Sequence, residues 1–235
     1  MALTWVYYHT DQVAPMTQSD YENNVTIIWN YLGGALGYSA NAVAAICGNM
    51  RYEGNLNPQQ YQYGSNYNIY FPWGAGLCGW TPVYDDPNNP RGYNPMQLLG
   101  SWCDSQNLNW LDGDSQLKYI EYELTDWDNT ERFMPNQDAA LINMPVNPPI
   151  TANAFRTSTL SADLLADYWL CYYERPLGQN LVSSEPYRAQ AALDWYTFIS
   201  GITPVPPTPP TPGRTSKMPL WMMVSRKRLY RKRRF

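Results

Sequence analysis

The amino-acid sequence predicts a mainly α-helical domain with one irregular insert, followed by a proline-rich spacer and a basic tail. Three observations carry this. Apolar residues recur at helical spacing in successive stretches between residues 19 and 199. The segment 54–90 breaks that rhythm with Gly, Asn, Tyr and Pro, reading as loops or a short β-hairpin. After Ile202 the chain becomes Thr-Pro-Val-Pro-Pro-Thr-Pro-Pro-Thr-Pro-Gly, and then nine basic residues without an acid.

Taken in order, Ser19 and Glu22 have the spacing of a capping box, and Val25, Ile28 and Leu32 follow on one face until Gly33-Gly34. Ser39 is the next N-cap, opening an Ala-rich helix over 40–51 with Val43, Ile46, Cys47 and Met50 inward. Asn94-Pro95 reads as a cap plus first-turn proline for a helix through Met96, Leu99 and Trp102. Leu117, Ile120 and Leu124 stripe a helix over 115–124, and Leu164, Leu165, Tyr168, Trp169 and Tyr172 do so over 161–173. Pro186 is expected to open the last helix, with Ala189, Ala192, Leu193, Tyr196 and Ile199 inward. The boundaries expected are a domain over 1–202, a polyproline linker over 203–213 rising about 3.1 Å per residue, and a tail over 214–235.

The chain has 235 residues and a net charge of −4, which splits sharply. Residues 1–213 hold seven basic residues and all 20 acids, and residues 214–235 carry +9. An acidic body of this kind is unsuited to gripping phosphate backbones. Aromatics reach 15%, as abundant as charged residues, a tilt toward carbohydrate handling. His9 is the single histidine, and the four cysteines (Cys47, Cys78, Cys103, Cys171) contain no CxxC, so zinc sites and thioredoxin chemistry find no support. Buried thiols are the favoured reading over two disulfides. No metal and no cofactor are expected. Neither a signal peptide nor a transmembrane segment is expected, because the apolar run 219–224 is too short to span a bilayer.

One stretch carries chemistry. The Ala-rich helix runs into Gly48-Asn-Met-Arg-Tyr-Glu53-Gly-Asn-Leu-Asn57-Pro58, leaving a lone carboxylate at the helix C-terminus. Acids are disfavoured at that negative pole by about 0.3–1 kcal/mol. Such a field with partial burial favours a protonated carboxyl, which general acid work near neutral pH requires. The plain alternative is a solvated glutamate at a frayed helix end.

The order Gly48-Asn49…Glu53…Asn57-Pro58, then Gly74-Ala-Gly-Leu-Cys-Gly-Trp-Thr81, then Gln116–Leu124, then Tyr173-Glu-Arg-Pro176, resembles the phage tail lysozyme family over residues 19–200. That family is a branch of the lysozyme-like superfamily, related to goose-type lysozymes and lytic transglycosylases. Gly79 stands where the family usually has Gln.

The resemblance implies a lysozyme-like fold and cleavage of the β-1,4 bond between N-acetylmuramic acid and N-acetylglucosamine, with Glu53 as general acid. Asp85 or Asp86 is the candidate second carboxylate, against the alternative of a simple turn. Trp80, Thr81, Asn57, Tyr52 and Tyr84 are candidate substrate contacts, with Tyr61 and Tyr63 nearby, although Trp80 would equally serve as core. Glu121, Glu123 and Glu174 read as structural, the last pairing with Arg175. The implied setting is a phage tail acting at the bacterial wall, with a peptidoglycan glycan strand and tail proteins as partners, and the +9 tail on an acidic virion or wall partner. A lytic transglycosylase using Glu53 alone, and a non-catalytic glycan-binding tail component, stand beside the muramidase reading.

Overall fold

The structure is a computed structural model that describes residues 3–8, 16–60, 74–80, 95–125, 133, 135, 144–176 and 178–206. Its described residues are mainly helical, as expected: α1 (Gln18–Trp29), α2 (Ala40–Glu53), α3 (Pro95–Gln106), α4 (Gly113–Thr125), α5 (Ala152–Arg156), α6 (Ala162–Trp169) and α7 (Gly178–Ser200). Two π-helical segments, Asn30–Ala35 and Leu170–Glu174, extend α1 and α6. Of the insert, expected as loops or a short hairpin, the described residues show one antiparallel bridge between Ala75 and Trp80.

The core is organised around α2. Every residue from Ala42 to Met50 is buried, so this helix is covered on all sides, by α6 and α7 above all. Small side chains make that possible. A Cβ on Gly48 would stand 2.6 Å from the Arg188 carbonyl and 2.8 Å from the Ala192 nitrogen, so α2 and α7 meet backbone to backbone there. Ser39 caps α2 as expected, accepting from Ala42 N at 3.1 Å, and its hydroxyl donates to the Ser158 carbonyl at 2.7 Å. The inward faces predicted for α1 to α4 and for α6, with their π-helical extensions, are buried, with Trp102 and Leu164 only partly so.

Three local expectations are corrected. The capping box of α1 is Thr17 with Asp20, not Ser19 with Glu22: Asp20 N donates to Thr17 Oγ1 and Thr17 N to Asp20 Oδ2 at 2.7 Å. The same reciprocal chemistry works two residues earlier with the shorter acid, whose carboxyl those Thr17 bonds hold below the usual carboxylate range. Gly33-Gly34 does not end the helix. A Cβ on Gly33 would lie 2.0 Å from the Trp29 ring, so its glycine admits the indole into a widened π turn. Pro186 lies inside α7 rather than at its start. Proline there forgoes one helical hydrogen bond, and the long buried stripe of Ser184, Arg188, Ala192, Trp195 and Ile199 outweighs it. Leu193 and Tyr196, expected inward, are each 38% exposed.

Both ends of the described body are tied down. Trp5 Nε1 donates to Asp114 Oδ1 at 2.8 Å, and Asn24 holds residue 6 in both directions. At the other end, the Trp29 indole donates to Ile202 O at 3.0 Å and Val205 N donates to Asn30 Oδ1 at 2.7 Å. Residues 203–206, expected as the start of a spacer, therefore lie along the α1 extension. The rest of the linker and the basic tail fall outside the described residues. All four cysteines are buried thiols in no disulfide, and burial pushes the Cys103 and Cys171 thiols up to about 12. No helix of the described residues is long and apolar enough to cross a membrane.

Candidate active site

Glu53 is the last residue of α2, and its side chain is 24% exposed at the edge of the core. It is not the lone carboxylate that the sequence suggests. Glu53 Oε1 forms an ion pair with Arg188 Nη2, delivered by α7. Arg188 is 2% exposed, and each part of its guanidinium has a partner. Its Nε donates to Ser184 Oγ at 3.1 Å, its Nη1 donates to Asn49 Oδ1 at 3.0 Å, and its Cζ lies 4.3 Å from the centroid of the Tyr52 ring. Asn49, Tyr52 and Glu53 are spaced i, i+3 and i+4 on α2, so one helix face presents an amide, an aromatic ring and a carboxylate to one arginine. Asn49 is itself fixed, because its Nδ2 donates to Ala45 O at 3.0 Å and Ala166 O at 3.1 Å. Those two bonds orient its Oδ1 toward the arginine.

The other oxygen of the carboxyl faces the insert. A Cβ on Gly79 would meet Glu53 Oε2 at 2.8 Å, and Gly79 has φ +56, in the left-handed region. Glycine is needed here both for the conformation and for the space. The turn 74–80 is held in place by the buried Gln116 of α4. Leu77 N donates to Gln116 Oε1 at 2.9 Å, and Gln116 Nε2 donates to Pro58 O at 2.7 Å and to Trp110 O at 2.8 Å. Gly54, just past Glu53, allows the approach, since a Cβ there would sit 2.1 Å from the Gly76 carbonyl.

The remaining candidates separate. Tyr52 is 52% exposed beside Glu53, with Arg188 over its ring. Asn57 has a different job from the expected substrate contact: it is 1% exposed, donates to Tyr8 O at 2.7 Å and accepts from Gln59 N at 3.0 Å, shaping the turn after α2. Trp80 is 2% exposed and meets Tyr119 edge-on at 6.0 Å, so it fills the space beneath the insert instead of offering an open ring face. Thr81, Tyr84, Asp85 and Asp86, with Tyr61, Tyr63 and His9, lie outside the described residues. Glu121 pairs with Arg156 and accepts from Tyr38 Oη at 2.8 Å, and the buried Glu123 accepts from Tyr173 Oη. Glu174 accepts from Trp169 Nε1 at 2.9 Å. Among the described residues no cluster of His, Cys, Asp and Glu has the makings of a metal site.

Nothing local in the sequence marks Arg188 or Ser184 as a site residue, and Asn49 stands in the motif with no role attached. The available signal was an arginine on the same helical stripe as Ser184, Ala192, Trp195 and Ile199, a position where a charge needs a buried partner.

With this geometry in hand, the sequence can be set beside known proteins. The model of a family described as phage tail lysozyme matches residues 23–199. Morphogenesis protein 1 of Bacillus phage B103 is 33% identical over 178 residues, which is 76% of this chain and 40% of that protein. The chain thus aligns with well under half the length of that curated relative.

Proposed function

The chain belongs to the phage tail lysozyme family, and from that premise we propose that it is a virion-associated enzyme that cleaves the N-acetylmuramic acid–N-acetylglucosamine β-1,4 bond of peptidoglycan for local wall penetration. Glu53 is the general acid. Its proton passes to the glycosidic oxygen as the bond to the anomeric carbon breaks and an oxocarbenium-like centre develops. Asp85 or Asp86 supplies the second carboxylate, activating water or stabilising that centre. The observation that carries the reading is the Glu53 carboxyl itself, partly exposed at the end of a helix buried from Ala42 to Met50, with Oε1 held by Arg188 and Oε2 directed at the side-chain-free Gly79. Tyr52, half exposed beside it, supplies a ring for a sugar face. Likeness to a phage morphogenesis protein supports a place in the particle, and the basic residues 214–235 supply a handle for an acidic virion or wall partner.

The test is peptidoglycan digestion by the full chain. Release of reducing ends is expected, and Glu53→Gln should lower it by about 10²–10⁴-fold, the span of a lost general acid, while leaving the thermal melt nearly in place. Mass spectrometry of the products separates ordinary muropeptides from the anhydro-sugars of a transglycosylase. Binding to the wall with no cleavage would assign a structural, glycan-binding part instead.

A further inference from the structure

We propose that Arg188 is a positioning residue that decides which oxygen of Glu53 carries the catalytic proton. It holds Oε1 as an acceptor and leaves Oε2 as the reacting atom. This rests on the glycoside-cleaving reading above.

The argument begins with what an arginine can do. A guanidinium has N–H donors and no acceptor. A carboxyl oxygen that faces one of those N–H groups accepts, and the carbonyl oxygen accepts far better than the hydroxyl oxygen, so the hydrogen is placed on the other one. Arg188 Nη2 faces Glu53 Oε1. A proton on Glu53 therefore resides on Oε2, on the side of Gly79. During the reaction the Oε2–H bond breaks as the proton moves to the glycosidic oxygen, and the electron pair of the broken C–O bond goes to that same oxygen. The carboxylate left behind spreads its charge onto Oε1, where the guanidinium already stands. One arginine thus orients the acid before the transfer and meets its anion afterwards, with no rearrangement.

The surroundings of Arg188 are those of a fixed device. Ser184 holds Nε, Asn49 holds Nη1, and Tyr52 covers the plane at 4.3 Å. Asn49 is unable to turn its amide without giving up two buried carbonyls, Ala45 O and Ala166 O. Burying a guanidinium to this degree carries a desolvation cost that an ion pair rarely returns in full. Its placement is explained by what it does to Glu53.

The experiment is steady-state kinetics of the full chain on purified peptidoglycan with four variants, one of them also assayed with added guanidinium. Arg188→Met should lower kcat by about 100-fold while KM stays within about threefold. Arg188→Lys, a point charge in place of the fork, should recover part of the loss, and so should millimolar guanidinium added to Arg188→Ala. Ser184→Ala removes the hydroxyl that accepts from Nε and should lower kcat by about three- to tenfold with a melting temperature only several degrees lower, which covers the case in which the arginine variants fold poorly. Arg188→Met with kcat within threefold of the parent overturns the proposal. So does a loss that neither lysine nor guanidinium relieves and that Ser184→Ala does not share. A parent protein that cleaves nothing overturns the glycosidase reading and this one with it. An active parent with an inactive Glu53→Gln and fully active Arg188 variants overturns this proposal alone.

Discussion

Gly79 stands against Glu53 so closely that any side chain at 79 would begin 2.8 Å from the carboxyl Oε2. The close approach brings the turn 74–80 against the end of α2, so a side chain at 79 has to displace the Glu53 carboxyl. Gly79→Ala has two consequences. The left-handed φ of +56 costs an L-residue about 1–2 kcal/mol. The methyl group also displaces the carboxyl, and a misplacement of this order costs about 10²-fold in rate. A lowered melting temperature together with a fall in peptidoglycan cleavage is expected. An alanine variant with parental kcat would show that Oε2 is not the oxygen that reacts.

Gly48 and Ala192 set the distance between α2 and α7. The atoms a Gly48 Cβ would strike are Arg188 O, Ala192 N and Ala192 Cα, all backbone, so no rotamer change relieves the clash. Gly48→Ala should destabilise the protein by about 1–3 kcal/mol, the usual cost of overpacking. Adding Ala192→Gly should not restore it, because the offending atoms stay. Denaturant titration of the two variants decides the matter, and rescue by the second change would refute the backbone contact.

Much of the helical body was legible because burial repeats along it. The stripes through Val25, Ile28 and Leu32, and through Leu117, Ile120 and Leu124, needed only periodicity. The Ala-rich stretch was legible as a helix, and its burial on all sides accounts for the small residues. What stayed hidden depended on partners distant in sequence. Arg188 reads as a surface charge until Asn49 and Glu53, more than 130 residues away, are brought to it. Pro186 reads as a helix start because its local preference is strong, and only the packed stripe on α7 overrules it. Asn57 and Trp80 read as ligand contacts because amides and indoles suit sugars. Burial and internal bonds claim them first.

Gln116 joins three pieces of chain that share no secondary structure. Its amide takes Leu77 N and gives to Pro58 O and Trp110 O. Gln116→Leu keeps much of the volume and leaves one donor and two acceptors buried without that partner, a loss of about 1–3 kcal/mol for each left unsatisfied. The local effect should exceed the global one. The Leu77 amide is expected to exchange hydrogen far faster in the variant, with α6 and α7 protected as before. Equal protection at Leu77 in both proteins would show that the turn is held by other means.

Asp167 gives the stability of the fold a pH dependence with a definite sign. Burial, then the charges of Glu185 and Asp163, then a hydrogen bond with Glu185, push its carboxyl up to about 8 from 3.8. The folded protein therefore holds a proton that the unfolded chain has released between about pH 4 and pH 8. Stability falls as pH rises through that window, is unaffected by this group below it, and carries the full penalty above it. Asp167→Asn removes the ionisation while keeping a group of the same shape. Little change is expected at pH 4.5, and a gain of about 1–3 kcal/mol at pH 8.5, seen as a melting temperature several degrees higher. Comparing variant with parent at both pH values cancels the titrating groups that do not interact with Asp167, Glu185 and Asp163 being the ones that do. A gain of equal size at the two values would mean that Asp167 is not protonated in the folded protein at neutral pH.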